Sequence, residues 1–224
     1  VKAQHGTTTH IPHPHATTTP SDTLTLEYRR PLPARLASPP FVTALRDGTL
    51  AVPQDGRIAL VHPESGAILR NLTVLPPAPP FSGPPGPAPR FGRVDEHIYV
   101  GEQGHSCVRT IRVSDGMQIA SAPREGEPPA PDDKRIKSPL GVAVGAGRVF
   151  VGDVMGYCVH ILRRSSLETL HVITKSDLPS ETRSFNPHDV AVYGKRLYVA
   201  DADESSVWVF TLKGQFVKRI GSYG

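Results

Sequence analysis

Four polar residues recur at one offset in this chain. Gln54, Glu102, Asp153 and Asp201 each stand two positions after a valine that closes a short apolar stretch, at Val52, Val100, Val151 and Val199. Three of the four are acidic, and two chemistries fit such a set. The carboxylates could form a rim that faces a ligand, or each could accept backbone N–H groups within its own turn. The second reading is preferred, because it requires only the local backbone. Histidine offers a third chemistry, since His188 directly follows Pro187. A catalytic zinc takes three protein ligands, whereas the residues after the matching prolines are Phe41, Arg90 and Leu140. No metal site is therefore expected there. His5, His10, His13 and His15 stand among threonines and prolines in a stretch that reads as a disordered polar tail. Cys107 and Cys158 each precede a valine, and they lack the paired spacing of a zinc site.

Composition narrows the classes. Of 224 residues, 24 are proline and 20 glycine, which favours many turns or disordered segments. The net charge of +4 raises nucleic acid as a partner, yet half of it sits in residues 1–37. From 38 onward, 21 basic residues face 19 acidic ones. No apolar run approaches the length of a membrane-spanning helix, and the first twenty residues lack the apolar core of a secretory signal. Two cysteines make no disulfide framework, which leans towards a reducing, cytoplasmic compartment. A lone sequon at Asn71-Leu72-Thr73 points the other way.

The elements that must position these residues repeat. Segments opening at Pro40, Pro89, Pro139 and Pro187 follow one another at 49, 50 and 48 residues. Each contains an apolar first stretch (42–45, 91–94, 142–144, 190–192), a second ending in valine, and a third (58–61, 108–111, 159–162, 207–210). A turn and a fourth stretch follow, the turns being Ser65-Gly66, Asp115-Gly116, Ser165-Ser166 and Lys213-Gly214. Runs such as Val207-Trp208-Val209-Phe210 are short, β-branched and aromatic, so they predict strands and not helices. Four short strands per repeat of nearly fifty residues is the pattern of a propeller blade. Proline at the head of each repeat fits only the start of a strand, and the first strand is expected to be innermost.

The last repeat, FNPHDVAVYGKRLYVADADESSVWVFTLKGQFVKRIGSYG from Phe185 to Gly224, resembles an NHL repeat. Residues 139–173 match well, 89–120 moderately and 40–72 weakly, so the resemblance covers about four fifths of the chain. It implies an all-β fold, a β-propeller of four-stranded antiparallel blades of the NHL, six-bladed type. Six blades at this period need roughly 290 residues, so C-terminal blades are expected to be lacking, with a closed four-bladed ring as the alternative. The expected organisation is a tail over 1–20, a closing strand and linker over 21–37 that includes Leu24 to Tyr28, and blades over about 38–75, 89–122, 138–176 and 185–221 within 38–224.

NHL propellers commonly serve as protein-interaction scaffolds. The resemblance thus implies a protein partner, no cofactor, no membrane and no catalysis. Asn186-Pro187-His188-Asp189-Val190 also resembles the Pro-His segments with which peptidyl-hydroxyglycine amidating lyases hold zinc. That metalloenzyme is one alternative. The other is RNA binding through Arg90, Arg93, Lys134, Arg135 and Lys137, against which Glu125, Glu127, Asp132 and Asp133 share the same loops and no aromatics interleave. The linkers 76–89, with eight prolines in fourteen residues, and 124–138 are expected on one face, where binding loops gather. Phe41, Arg90, Leu140 and His188 are expected around the channel mouth beside them. Packed sheets lie about 10 Å apart and a disulfide needs Cα atoms within about 7 Å, so Cys107 and Cys158 are expected as free thiols.

Overall fold

The computed structural model describes residues 42–45, 47–54, 57–73, 90–94, 96–103, 105–123 and 135–221. All of them lie in the larger of two compact units, Leu32–Gly224. The tail, the expected closing strand and most of both proline-rich linkers fall outside the described residues.

Among the described residues, sixteen strands form four separate sheets. The first blade holds β1 (Thr43–Ala44), β2 (Leu50–Gln54), β3 (Arg57–Val61) and β4 (Ile68–Thr73). The second holds β5 (Arg90–Val94), β6 (His97–Glu102), β7 (Cys107–Arg112) and β8 (Gln118–Ala122). The third holds β9 (Pro139–Gly145), β10 (Arg148–Asp153), β11 (Cys158–Arg163) and β12 (Thr169–Ile173). The fourth holds β13 (Pro187–Tyr193), β14 (Arg196–Asp201), β15 (Ser206–Thr211) and β16 (Phe216–Ile220). Each sheet is an antiparallel meander in chain order.

Side-chain alternation along the strands builds the core between blades. On β10, Val149 and Val151 pack with Tyr99 and Val108 of the second blade. Phe150, on the opposite side of the same strand, packs with Leu197, Val199 and Trp208 of the fourth. Ile58, Leu60 and Leu72 of the first blade meet Ile98, Val100 and Ile111 of the second in the same way. Edge-on aromatic contacts of Phe216 with Trp208 and Phe210 knit the outer part of the fourth blade.

First strands of neighbouring blades touch. A side chain at Gly141 of β9 would sit 2.7 Å from the Cα of Asp189 on β13. As expected from proline, Pro139 and Pro187 are the first residues of their strands. A β-bulge then follows within each pairing, between Val151 and Asp153 and between Pro187 and Asp189. In the second blade β5 pairs with β6 without a register shift.

Candidate functional site

The bulges correct one expectation. Arg90 lies opposite Gly101, whereas the residue opposite the corresponding Ala200 is Asp189 and not His188. The extra residue in β9 and β13 shifts the register, so Arg90 is not equivalent to Leu140 and His188. Leu140 is buried on β9, with only 7% of its surface exposed, and offers no surface to a partner. His188 is exposed on β13. Phe41 and the Arg90 side chain lie outside the described residues, as do the Arg93 and Lys134 side chains of the RNA reading. Arg135 and Lys137 are exposed.

The recurrent polar position organises the face between the second and third strands. Asp153, fully buried at the end of β10, accepts three backbone N–H groups: Lys137 at 2.7 Å, Ser138 at 2.9 Å and Gly156 at 2.8 Å. Asp201 accepts those of Asp203 at 3.0 Å and Glu204 at 3.1 Å. The turn-anchoring role therefore holds at both, and at Asp153 it reaches beyond the turn into the linker that enters the blade. The Oγ of Ser106, in the neighbouring blade's loop, donates to the Lys137 carbonyl at 2.6 Å. Loops and linker thus share one face.

A second regularity was not read from the sequence. Seven residues after each acid, on the strand beside it, a side chain points back at the carboxylate. Trp208 Nε1 donates to Asp201 at 2.8 Å, Arg109 Nε to Glu102 at 3.1 Å, and His160 Nε2 lies 3.3 Å from Asp153. The sequence signal is the hairpin itself. Asp153 pairs directly with Cys158, and residues two apart on a strand share a face, so Asp-x4-Cys-x-His gathers three polar groups. Desolvation tends to raise the Asp153 carboxyl. The bonds from His160, Lys137 and Ser138 nevertheless hold it below its ordinary range.

Both cysteines are free, as expected, and the structure buries both. Burial, reinforced by the neighbouring carboxylates, pushes each thiol up to about 12. At neutral pH they are protonated and poor nucleophiles. Cys107 donates to Glu102 at 3.4 Å, and Glu102 is also hydrogen-bonded to His105.

In the fourth blade the linker is clamped by Glu204. Its carboxylate accepts the N–H of Arg183 at 2.9 Å and of Ser184 at 3.1 Å, and it pairs with Arg219 at 3.0 Å. Arg219 lies over the Trp208 ring, 4.9 Å from its centroid. Desolvation would raise the Glu204 carboxyl, but the two N–H groups and the guanidinium together hold it below its ordinary value. A depressed carboxyl stabilises the fold fully above its unfolded pKa, and this contribution is lost as pH falls through the lower folded value. Glu204→Gln is therefore expected to cost about 1 kcal/mol at pH 7 and to flatten the acid limb of the stability profile below about pH 4.5. Urea melts from pH 3 to 7 check this, and parallel profiles for both proteins would contradict it.

Three loop residues adopt left-handed backbone at the same offset: Ser106 at φ 51°, Tyr157 at φ 51° and Ser205 at φ 48°. Two are serine. The third is a tyrosine that is 54% exposed, two residues from Met155, which is 62% exposed.

No protein-family model matches the sequence, and no curated protein sequence does either. Solved structures do. The computationally designed Ika4 protein aligns at a TM-score of 0.54 with 13% identity, over 81% of this chain and 95% of that one. Streptogramin B lyase aligns at 0.56 with 16% identity, over 80% and 52%. A chain of the mitotic checkpoint complex aligns at 0.56 with 14% identity, over 81% and 50%. This chain spans about half the length of the latter two. At such identities the likeness is one of fold, and together with the four antiparallel sheets it makes this chain a β-propeller.

Proposed function

We propose that this chain is a non-enzymatic scaffold of NHL-type blades, belonging to a six-bladed ring, whose loop face binds a protein partner. The resemblance of the last repeat, Phe185 to Gly224, to an NHL blade supports the ring. One observation carries the binding reading: Met155 and Tyr157 project from a loop whose base is fixed by a buried aspartate. Left-handed backbone costs any residue with a Cβ about 1–2 kcal/mol, so Tyr157 carries the same strain as the serines at this offset in the flanking blades. Tyr157 leaves more than half of its surface exposed there, and binding supplies a reason to hold a large aromatic in that position. Rigid loops also lose little conformational freedom on association, and aromatic and Met side chains are enriched where proteins meet.

The reading separates from a structural one by the sign of a substitution. Tyr157→Gly is expected to leave the thermal midpoint unchanged or to raise stability by up to about 1 kcal/mol. Combined with Met155→Ser, it is expected to remove a partner that wild type retains. Parallel affinity capture with the two proteins, followed by titration of the differentially retained partner, checks both. Identical sets of retained proteins would place the interaction elsewhere, and a clear loss of stability would assign Tyr157 to the fold.

A further inference from the structure

We propose that Asp153, Cys158 and His160 form a binding site for a zinc-class divalent cation inside the third blade. Their ligand atoms all lie within 4.8 Å of one another, and all three side chains are buried. His160 Nε2 is 3.3 Å from the Asp153 carboxylate and 3.3 Å from Cys158 Sγ. Around a tetrahedral zinc, nitrogen and oxygen ligands stand about 3.4 Å apart, and nitrogen and thiolate about 3.6 Å. The nitrogen–oxygen spacing is long for a hydrogen bond and matches that of a shared ion, while the nitrogen–sulfur spacing is compatible with either. His160 is fully buried, and its Nδ1 has no partner among the described residues. Every polar contact of the ring is directed into the cluster.

A second observation is independent of the ligands. Gly156 lies over them so closely that a side chain there would meet the Asp153 carboxylate at 2.8 Å and Cys158 Sγ at 3.0 Å. Backbone conformation does not require glycine at this point, because Gly156 is not among the residues with positive φ. The same offset from the acid carries His105 in the second blade and Glu204 in the fourth. The glycine leaves open the room that a Cβ would take beside the Asp153 carboxylate and Cys158 Sγ. At the position of His160 the second and fourth blades carry Arg109 and Trp208, which cannot serve as ligands. The second blade does bring Cys107 and His105 to Glu102, but among the described residues only the third blade gathers three such ligand atoms within 4.8 Å of one another.

Charge and softness select the ion. One carboxylate, one thiolate and a neutral imidazole cancel the two charges of the cation, so the occupied site is neutral inside the protein. A mixed set of thiolate, imidazole and carboxylate suits zinc better than calcium or magnesium. Binding releases the Cys158 proton to solvent, and water fills the fourth position. The ion would join β10 to β11 and, through the bonds of Asp153 to Lys137 and Ser138, hold the linker from the second blade.

Cobalt(II) is the probe, added to the reduced 224-residue chain after chelation and desalting. The expected result is one equivalent per chain with a thiolate-to-cobalt charge-transfer band and the visible bands of a tetrahedral ion, both bleached by zinc. The histidines of the N-terminal tail contain no thiolate and cannot produce the charge-transfer band. Cys158→Ser is expected to fold, since Ser206 occupies the equivalent place in the fourth blade, and to lose the band, while Cys107→Ser retains it. Absence of the band from folded wild type overturns the proposal. So does its persistence in Cys158→Ser, or its equal loss in Cys107→Ser. Melting provides a separate reading that needs no variant: zinc is expected to raise the wild-type midpoint progressively with concentration, and an unmoved midpoint counts against the site.

Discussion

Trp208→Ala is expected to destabilise the chain by about 4–5 kcal/mol, the upper range for truncating a buried large aromatic. Two losses combine. Trp208 is 1% exposed in the core shared by the third and fourth blades, and its removal leaves a cavity beside Phe216 and the Arg219 guanidinium. It also leaves Asp201 Oδ2 without the 2.8 Å bond from the indole, and an unsatisfied buried carboxylate oxygen costs about 1–3 kcal/mol by itself. Trp208→Phe separates the two contributions, since it keeps most of the packing and removes only the donor. Its expected cost is about 2 kcal/mol. Chemical denaturation followed by circular dichroism is the appropriate measurement, because the chain has a single tryptophan and the variants lose its fluorescence. A cost below 2 kcal/mol for the alanine variant would mean that the fourth blade is not packed as described.

Gly141→Ala adds a single methyl group and is expected to cost about 3 kcal/mol, at the top of the usual range for overpacking. The new carbon would lie 2.7 Å from Asp189 Cα and 2.8 Å from the Val190 nitrogen. Both are backbone atoms of the adjacent innermost strand, so no side-chain rotation relieves the contact. β9 and β13 must separate, which disturbs the core containing Ala143 and Val190. Gly147→Ala is the matched control for backbone effects, because nothing lies within 4 Å of the added carbon although φ there is +71°. Its cost should be about 1 kcal/mol, from left-handed backbone alone. Equal costs for the two variants would show that the innermost strands are farther apart than described.

The blades were legible because their signals are local. Period, alternation and turn residues place every third strand to within a residue or so, as with Val159 to Leu162 inside Cys158–Arg163. The first strands were less legible. A bulge after Pro139 or Pro187 depends on how β9 and β13 meet their partners, and no residue type announces it. Equating Arg90 with His188 therefore failed by one residue. Leu140 failed for a different reason: its burial is supplied by other elements, and position in the repeat does not disclose it. The anchoring role of Asp153 and Asp201 was legible, since an acid at a hairpin loop has backbone N–H groups within reach. Its extension to Lys137 and Ser138 was not, because those donors come from sixteen and fifteen residues upstream. The cluster with Cys158 and His160 follows from strand pairing, which sets Cys158 opposite Asp153, and linear cysteine spacing does not disclose it.

Three of the loops between second and third strands have the same length: four residues separate Glu102 from Cys107, Asp153 from Cys158, and Asp201 from Ser206. Each carries its left-handed residue in the last of those four places. They are interchangeable parts in a mechanical sense, mounted on identical fittings. The stretch Val154 to Tyr157 could be transplanted between the ends of β6 and β7, or of β14 and β15, with no change of frame. Duplication of blades within a gene would then copy the fitting while leaving its contents free to diverge. The residues found there, Gln-Gly-His-Ser, Val-Met-Gly-Tyr and Ala-Asp-Glu-Ser, share almost no chemistry.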